Sequence, residues 1–178
     1  MVTPVYDPIR QYLRHMVPKP IPVLTMVPGT EDNPVFDTTY ELSSEWEVLD
    51  HPQEHIDAEL SRIRSEIVVE IKRIRDTRTQ TGGFPAAGYW FHSDVFSRSQ
   101  QLGLVLLGAN IPNNLYWKTM SGDMVLMTQT LTGQIFQAAA TQDATTFSHA
   151  EALISQVNSA YNPYSVNINT GWPPIYGD

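Results

Sequence analysis

The chain of 178 residues contains no cysteine, which excludes disulfides, thiolate metal sites and cysteine nucleophiles. That absence suits any redox compartment and identifies none. Basic residues are scarce in the second half: from Thr79 to the C-terminus there are only Arg98 and Lys118. With a formal net charge of −8, the chain cannot line a phosphate-tracking groove, and no nucleic-acid partner is expected. Long apolar runs are missing too. The longest, Leu102 to Leu107, is broken by Gly103 and falls far short of the ~20 residues of a membrane span, so no membrane partner is expected. Prolines at 4, 8, 18, 20, 22 and 28 interrupt any apolar signal core, so no secretion signal is expected. There is no glycine-rich phosphate loop, because Gly82-Gly83 follows a helical pattern, the reverse of the order a dinucleotide site needs. After Arg98 the carboxylates are Asp123, Asp143, Glu151 and Asp178, too sparse to mark an acid–base pair.

What is present suffices for one domain with a core and an appendage. Seven of the thirteen prolines lie before residue 35, and Pro18, Pro20 and Pro22 alternate. Each fixes its own φ and restricts its predecessor, so the segment is extended and is neither a central strand nor a helix interior. Ile21, Val23, Leu24, Met26 and Val27 are too apolar for a solvated tail. The favoured reading is an ordered arm lying on a partner surface; an edge strand and a disordered segment are the other readings. Residues 35–49 alternate enough to supply one or two short strands.

Asp50, with Gln53 three residues on and Pro52 in the first turn, reads as a helix start. Ile56, Leu60, Ile63, Ile67, Ile71 and Ile74 then form one stripe of a charged helix of about 25 residues. Such a stripe suits either a coiled-coil seam, which isoleucine biases towards trimers or higher states, or a helix packed on its own domain. Thr81-Gly82-Gly83 ends this helix, and Pro85 and Gly88 keep the next turn open. Residues 89–92 read as an aromatic strand. Ser93 or Asp94 caps a second helix from Val95 to about Leu107, ended by Gly108. Two strands, 115–120 and 123–127, meet at a Ser121-Gly122 turn. Thr128 or Thr130 caps a final helix to about Asn158, with a stripe of Leu131, Ile135, Ala138 or Ala139, Phe147, Ala150, Ile154 and Val157. The tail holds Asn162-Pro163, Gly171 and Pro173-Pro174 and reads as an irregular wrap anchored by Trp172, Ile175 and Tyr176. The expected class is α+β: a small antiparallel sheet of about three short strands, packed by two long helices and one shorter helix and preceded by an extended proline-rich arm. The expected divisions are 1–50 for the arm, 51–160 for the domain and 161–178 for the wrap.

Two local patterns invite a chemical reading. His51-Pro52-Gln53-Glu54-His55 matches the H-x-x-E-H arrangement, in which two histidines one turn apart hold zinc and the glutamate serves as base. Proline lies inside the pattern, His51 sits where a helix cap belongs, and no third ligand is evident; a polar helix start is the competing reading. His92-Ser93-Asp94 contains triad residue types, but neighbours in sequence do not converge as triads do. Here Ser93 and Asp94 read as a helix cap, with Asp94 pairing to Arg98 one turn on. Trp90, Phe91, Tyr116 and Trp117 read as core and cross-strand packing, with a carbohydrate-stacking surface as the alternative. No residue is assigned as catalytic, cofactor-binding or metal-binding, no cofactor is expected, and no enzyme activity is expected.

Taken together, Arg75-Asp76-x-Arg78, Gly82-Gly83-Phe84-Pro85, Gly88, Trp90-Phe91-His92-Ser93-Asp94, Ser97-Arg98-x-Gln100, Leu102-Gly103-Leu104, Leu107-Gly108-Ala109-Asn110-x-Pro112, Trp117-Lys118-Thr119-Met120-x-Gly122 and Met127-Thr128 form a pattern over about residues 56 to 158. It resembles an uncharacterised C-terminal domain recurrent in tailed-bacteriophage tail-fibre and tail-assembly proteins. The resemblance implies a non-enzymatic structural protein of the virion, in the tail, tail-fibre or baseplate region, made in the bacterial host cytoplasm. Its implied partners are other phage tail or fibre proteins, docked through the N-terminal arm, and copies of itself, with a trimer as the first expectation. A tail-fibre assembly chaperone absent from the mature particle is the alternative, and a zinc hydrolase using His51, Glu54 and His55 the remote one.

Overall fold

A computed structural model describes the backbone of residues 15–30, 33–49 and 53–178, and the side chains from 53 onward. The chain divides into two compact units, Met1–Ser61 and Arg62–Asp178, with the boundary inside a helix.

In the first unit, strand β1 (His15–Thr30) pairs antiparallel with β2 (Asn33–Leu49). The register shifts between Pro18 and Pro20 and again between Val27 and Thr30. A two-stranded ribbon consists only of edges, and an edge is where a strand tolerates prolines that cannot donate to a ladder. Pro18, Pro20 and Pro22 therefore sit in the edge strand that was one of the readings of the arm. Its first 14 residues, the apolar side chains of the arm, and Asp50, His51 and Pro52 lie outside the described residues.

Helix α1 spans Gln53–Thr81. In the second unit it is followed by β3 (Phe84–Ala86) and β4 (Tyr89–Phe91), helix α2 (Val95–Leu107), β5 (Tyr116–Lys118), β6 (Met124–Leu126) and helix α3 (Gln129–Ser159). The α+β class is as expected, with two long helices and a shorter one. The strands form two separate ribbons, β3–β4 and β5–β6, joined by one backbone bond from Met120 N to the Trp90 carbonyl (2.9 Å). The segment read as an open turn before Tyr89 supplies β3. It reverses at Ala87 (φ 49°) and Gly88 (φ 84°), the signs of a type I′ turn whose twist suits a tight hairpin.

Two cores are strung along α3. Under its N-terminal half, Phe84, Ala86, Phe91, Leu104, Ile111 and Met127 pack with Ile135 and Ala139. Under its C-terminal half, Ala150, Leu153 and Val157 pack with Ile71 of α1, and Val166, Ile168 and Trp172 of the tail close over them. Ile67 and Ile71 thus face α3, so this end of the isoleucine stripe serves the chain's own fold. The buried face of α3 reads Thr132, Ile135, Ala139, Thr146, Ala150, Leu153 and Val157. It differs from the apolar stripe read in sequence: Thr146 is buried, while Phe147 is 44 % exposed and lies under the Arg75 guanidinium at 4.5 Å. Buried threonines are admissible because their hydroxyls bond within the helix, Thr146 to the Gln142 carbonyl and Thr132 to that of Gln129.

The tail is fastened by backbone and side-chain bonds. Tyr176 N donates to the Gly82 carbonyl (2.8 Å), Arg78 to the Pro173 carbonyl (2.8 Å) and Gln142 to the Pro174 carbonyl (2.8 Å). His149 shares a hydrogen bond with the Thr170 carbonyl and stands edge-on to Trp172. Gly82 is where α1 ends and the tail arrives. A Cβ there would overlap the Ile175 side chain and lie 2.5 Å from the Arg78 carbonyl.

Two outcomes follow, both readable by thermal or denaturant unfolding. Gly82→Ala is expected to destabilise by about 1–3 kcal/mol, the usual range for overpacking. Ala87→Asn is expected to stabilise by about 0.5–1 kcal/mol, because asparagine tolerates the left-handed backbone that alanine resists.

Candidate functional site

The His92-Ser93-Asp94 cluster is a structural corner. Buried Ser93 accepts through Oγ the Gly83 N–H (3.0 Å), closing β3 onto the start of α2. Asp94 caps α2, accepting from Ser97 N (3.0 Å) and from Ser97 Oγ (2.6 Å). The His92 carbonyl accepts from Nε2 of the buried Gln101 (3.0 Å). Each of these groups has a fold partner. Arg98 does not pair with the Asp94 carboxylate: its guanidinium reaches Asp143 of α3 (2.9 Å) and covers the Phe84 ring at 4.7 Å. A partner on another helix was invisible to a spacing argument. Burial raises the Asp143 pKa from its ordinary value, outweighing the opposing pull of Arg98.

Of the zinc pattern, Glu54 and His55 lie in the first turn of α1 and His51 lies outside the described residues. Among the described residues no three His, Cys, Asp or Glu side chains converge as a metal site. No helix among them is long and apolar enough to cross a membrane. Of the tryptophans, Trp117 packs on the first core, and Trp90 meets Tyr176 edge-on at 5.9 Å.

The feature that composition did not single out is the outer side of α2. Seven of its 13 residues, VFSRSQQLGLVLL, are large and apolar, yet of these only Leu104 is buried. Leu106 is 79 % exposed, Val95 77 % and Phe96 71 %, and Leu102 and Leu107 are also exposed. On one flank, α2 and β5 bound an open groove of about 690 Å3, with Phe96, Gly103 and Leu107 facing residues 115–118 and His92 at one end. On the other flank, Val95 and Leu102 face Phe136 and Ala139 of α3 across a smaller groove of about 450 Å3. An exposed apolar patch of this kind marks an interaction site. Gly103 adds to the pattern: mid-helix glycine costs roughly 1 kcal/mol relative to alanine, yet a Cβ there would meet nothing within 4 Å. The apolar run from Leu102 to Leu107 that holds this signal in sequence reads there as the end of a helix and as too short for a membrane span.

The corner makes a pH-dependent prediction. Hydrogen bonds from the Ser97 hydroxyl and then the Ser97 N–H hold the Asp94 carboxyl below its ordinary pKa, so its contribution is present above the ordinary aspartate range. It is lost as the pH falls through the depressed folded-state value. Asp94→Ala is expected to cost about 1 kcal/mol at neutral pH, with the difference from the parent chain shrinking below about pH 4. Urea unfolding at pH 7 and pH 3 measures it.

Neither the curated proteins nor the solved structures compared with the chain give a match. A family model, the domain of unknown function DUF4376, matches residues 62–170, which is most of the second unit from α1 through the tail that closes the second core. The chain belongs to that family.

Proposed function

We propose that the chain is a non-enzymatic structural protein of a bacteriophage virion, in the tail, tail-fibre or baseplate region, that works by docking to neighbouring subunits or fibres. The observation that carries the docking role is the outward apolar face of α2, where Val95, Phe96, Leu102, Leu106 and Leu107 stand exposed on a single chain. Leaving that much apolar surface in water is unfavourable by roughly 25 cal/mol per Å2, and a covering subunit removes the cost. The virion setting rests on the motif resemblance between Arg75 and Thr128. The β1–β2 ribbon supports the same reading, since an isolated two-stranded hairpin is marginal in water and a neighbouring chain would support its edges. The proposed assembly is a homotrimer, from fibre symmetry; the isoleucine stripe of α1 is not its seam, because Ile56, Ile63 and Ile71 are already buried within one chain.

Light scattering on the purified chain is expected to give three times the 20.1 kDa of one copy. Leu106→Asp should return the assembly to monomer with little change in unfolding temperature, because Leu106 is already 79 % exposed. A monomeric parent chain, or an assembly that Leu106→Asp leaves intact, would sink docking between copies through this face. Protein quantification in purified particles decides the setting: a fixed copy number is expected, and absence from particles that required the protein for their assembly would point to a fibre-assembly chaperone.

A further inference from the structure

The groove between α2 and β5 has a wall with a specific hydrogen-bonding capacity. Leu115 accepts from Met127 N and Thr119 N donates to the Asp123 carbonyl, with Tyr116↔Leu126, Trp117↔Val125 and Lys118↔Met124 in register between them. Antiparallel pairing alternates, so Leu115, Trp117 and Thr119 bond towards β6 while the N–H and C=O groups of Tyr116 and Lys118 turn the other way. Among the described residues no hydrogen bond is made by those four groups. The open groove runs along this edge, bounded opposite by α2. No acidic side chain lines it: Asp94 is directed to Ser97, and Arg98 is engaged with Asp143. The charged lining residue is Lys118, with His92 nearby in the same groove. Gly103 leaves the α2 wall without a side chain where a Cβ would have open space.

We propose that this groove binds an extended segment of a partner protein as an added β-strand along β5, with apolar side chains at alternate positions facing α2 and a carboxylate near Lys118. The strand edge offers main-chain pairing at Tyr116 and Lys118, the apolar wall of Phe96, Leu104 and Leu107 takes every second side chain, and the cation selects an acidic segment in a chain otherwise of net charge −8. Gly103 is the position whose missing side chain keeps the channel wide. The inference rests on the docking role proposed above and names the kind of partner for one flank of α2; Leu106, which tests that role, is outside this groove.

Amide hydrogen exchange on the full-length chain tests it. In the free protein the Tyr116 and Lys118 amides should exchange much faster than that of Trp117. The probe is a panel of end-blocked eight-residue peptides alternating Val, Ile or Phe with Thr, each made with Glu or with Lys at one polar position. A Glu peptide at about 1 mM is expected to slow the Tyr116 and Lys118 amides at least tenfold, and its Lys twin to do so more weakly. Gly103→Leu should abolish that protection while raising the unfolding temperature, since it fills the channel and improves the helix. Tyr116→Pro should abolish binding and Tyr116→Ala, which keeps the N–H, should retain it; Lys118→Glu should reverse the preference to the Lys peptide. The proposal is overturned if no peptide protects these amides, if peptides bind without protecting them, or if Gly103→Leu binds as the parent does. Protection that rises with protein concentration and no peptide would overturn it in favour of a second copy as occupant. If these results go against the groove while Leu106→Asp still disrupts assembly, the groove fails and the docking role stands.

Discussion

One face of α3 is the constraint on which the second unit depends. Thr132, Ile135, Ala139, Thr146, Ala150, Leu153 and Val157 recur at spacings of three, four and, once, seven residues along a 31-residue helix, so a single stripe serves two cores that do not otherwise merge. The ribbons and α2 gather on its first half, and α1 with the tail on its second. Small residues at several of these positions let other elements approach closely, and the threonines satisfy their hydroxyls within the helix. Without α3, neither two-stranded ribbon has a surface against which to bury its aromatic side.

The residues with the most chemical appearance are consumed in holding this arrangement. Ser93 closes a β-ribbon, Asp94 starts a helix and Gln101 pins the carbonyl of His92. Arg98 spans from α2 to α3. Arg78 reaches the tail at Pro173, while Tyr176 bonds back to Gly82, so the last residues are part of the unit and not an appendage to it. Serine and carboxylate here make a corner, because each already has a fold partner, and of His92 it is the backbone carbonyl that is engaged.

What is left unsatisfied lies on α2 and β5. The helix keeps Val95, Phe96, Leu102, Leu106 and Leu107 outward, and among the described residues the main-chain groups of Tyr116 and Lys118 on the adjoining strand find no partner. Both are conditions that proteins usually avoid in isolation. Their coincidence beside Gly103 and Lys118 is the physical basis for proposing this side of the molecule as a docking surface.

The sequence by itself determined the helices of the second unit and every strand of it but β3. Strong local signals did this: the isoleucine period of α1, the glycine pair after it, a cap at Ser93 or Asp94 and another at Thr128 or Thr130, of which the structure uses Asp94 and Thr128, and Ser121-Gly122 as a hairpin turn. These act within a few residues of one another, so no tertiary knowledge is needed to read them. Only the tertiary structure decided that β3 exists, since three residues containing a proline carry no periodicity. It alone decided that Thr146 and not Phe147 is buried, because close approach along α3 selects for size over hydrophobicity. The partner of Arg98 lies 45 residues away, beyond any spacing rule. The exposed face of α2 was likewise hidden, because an apolar run in sequence predicts burial and cannot say that the described residues leave it uncovered.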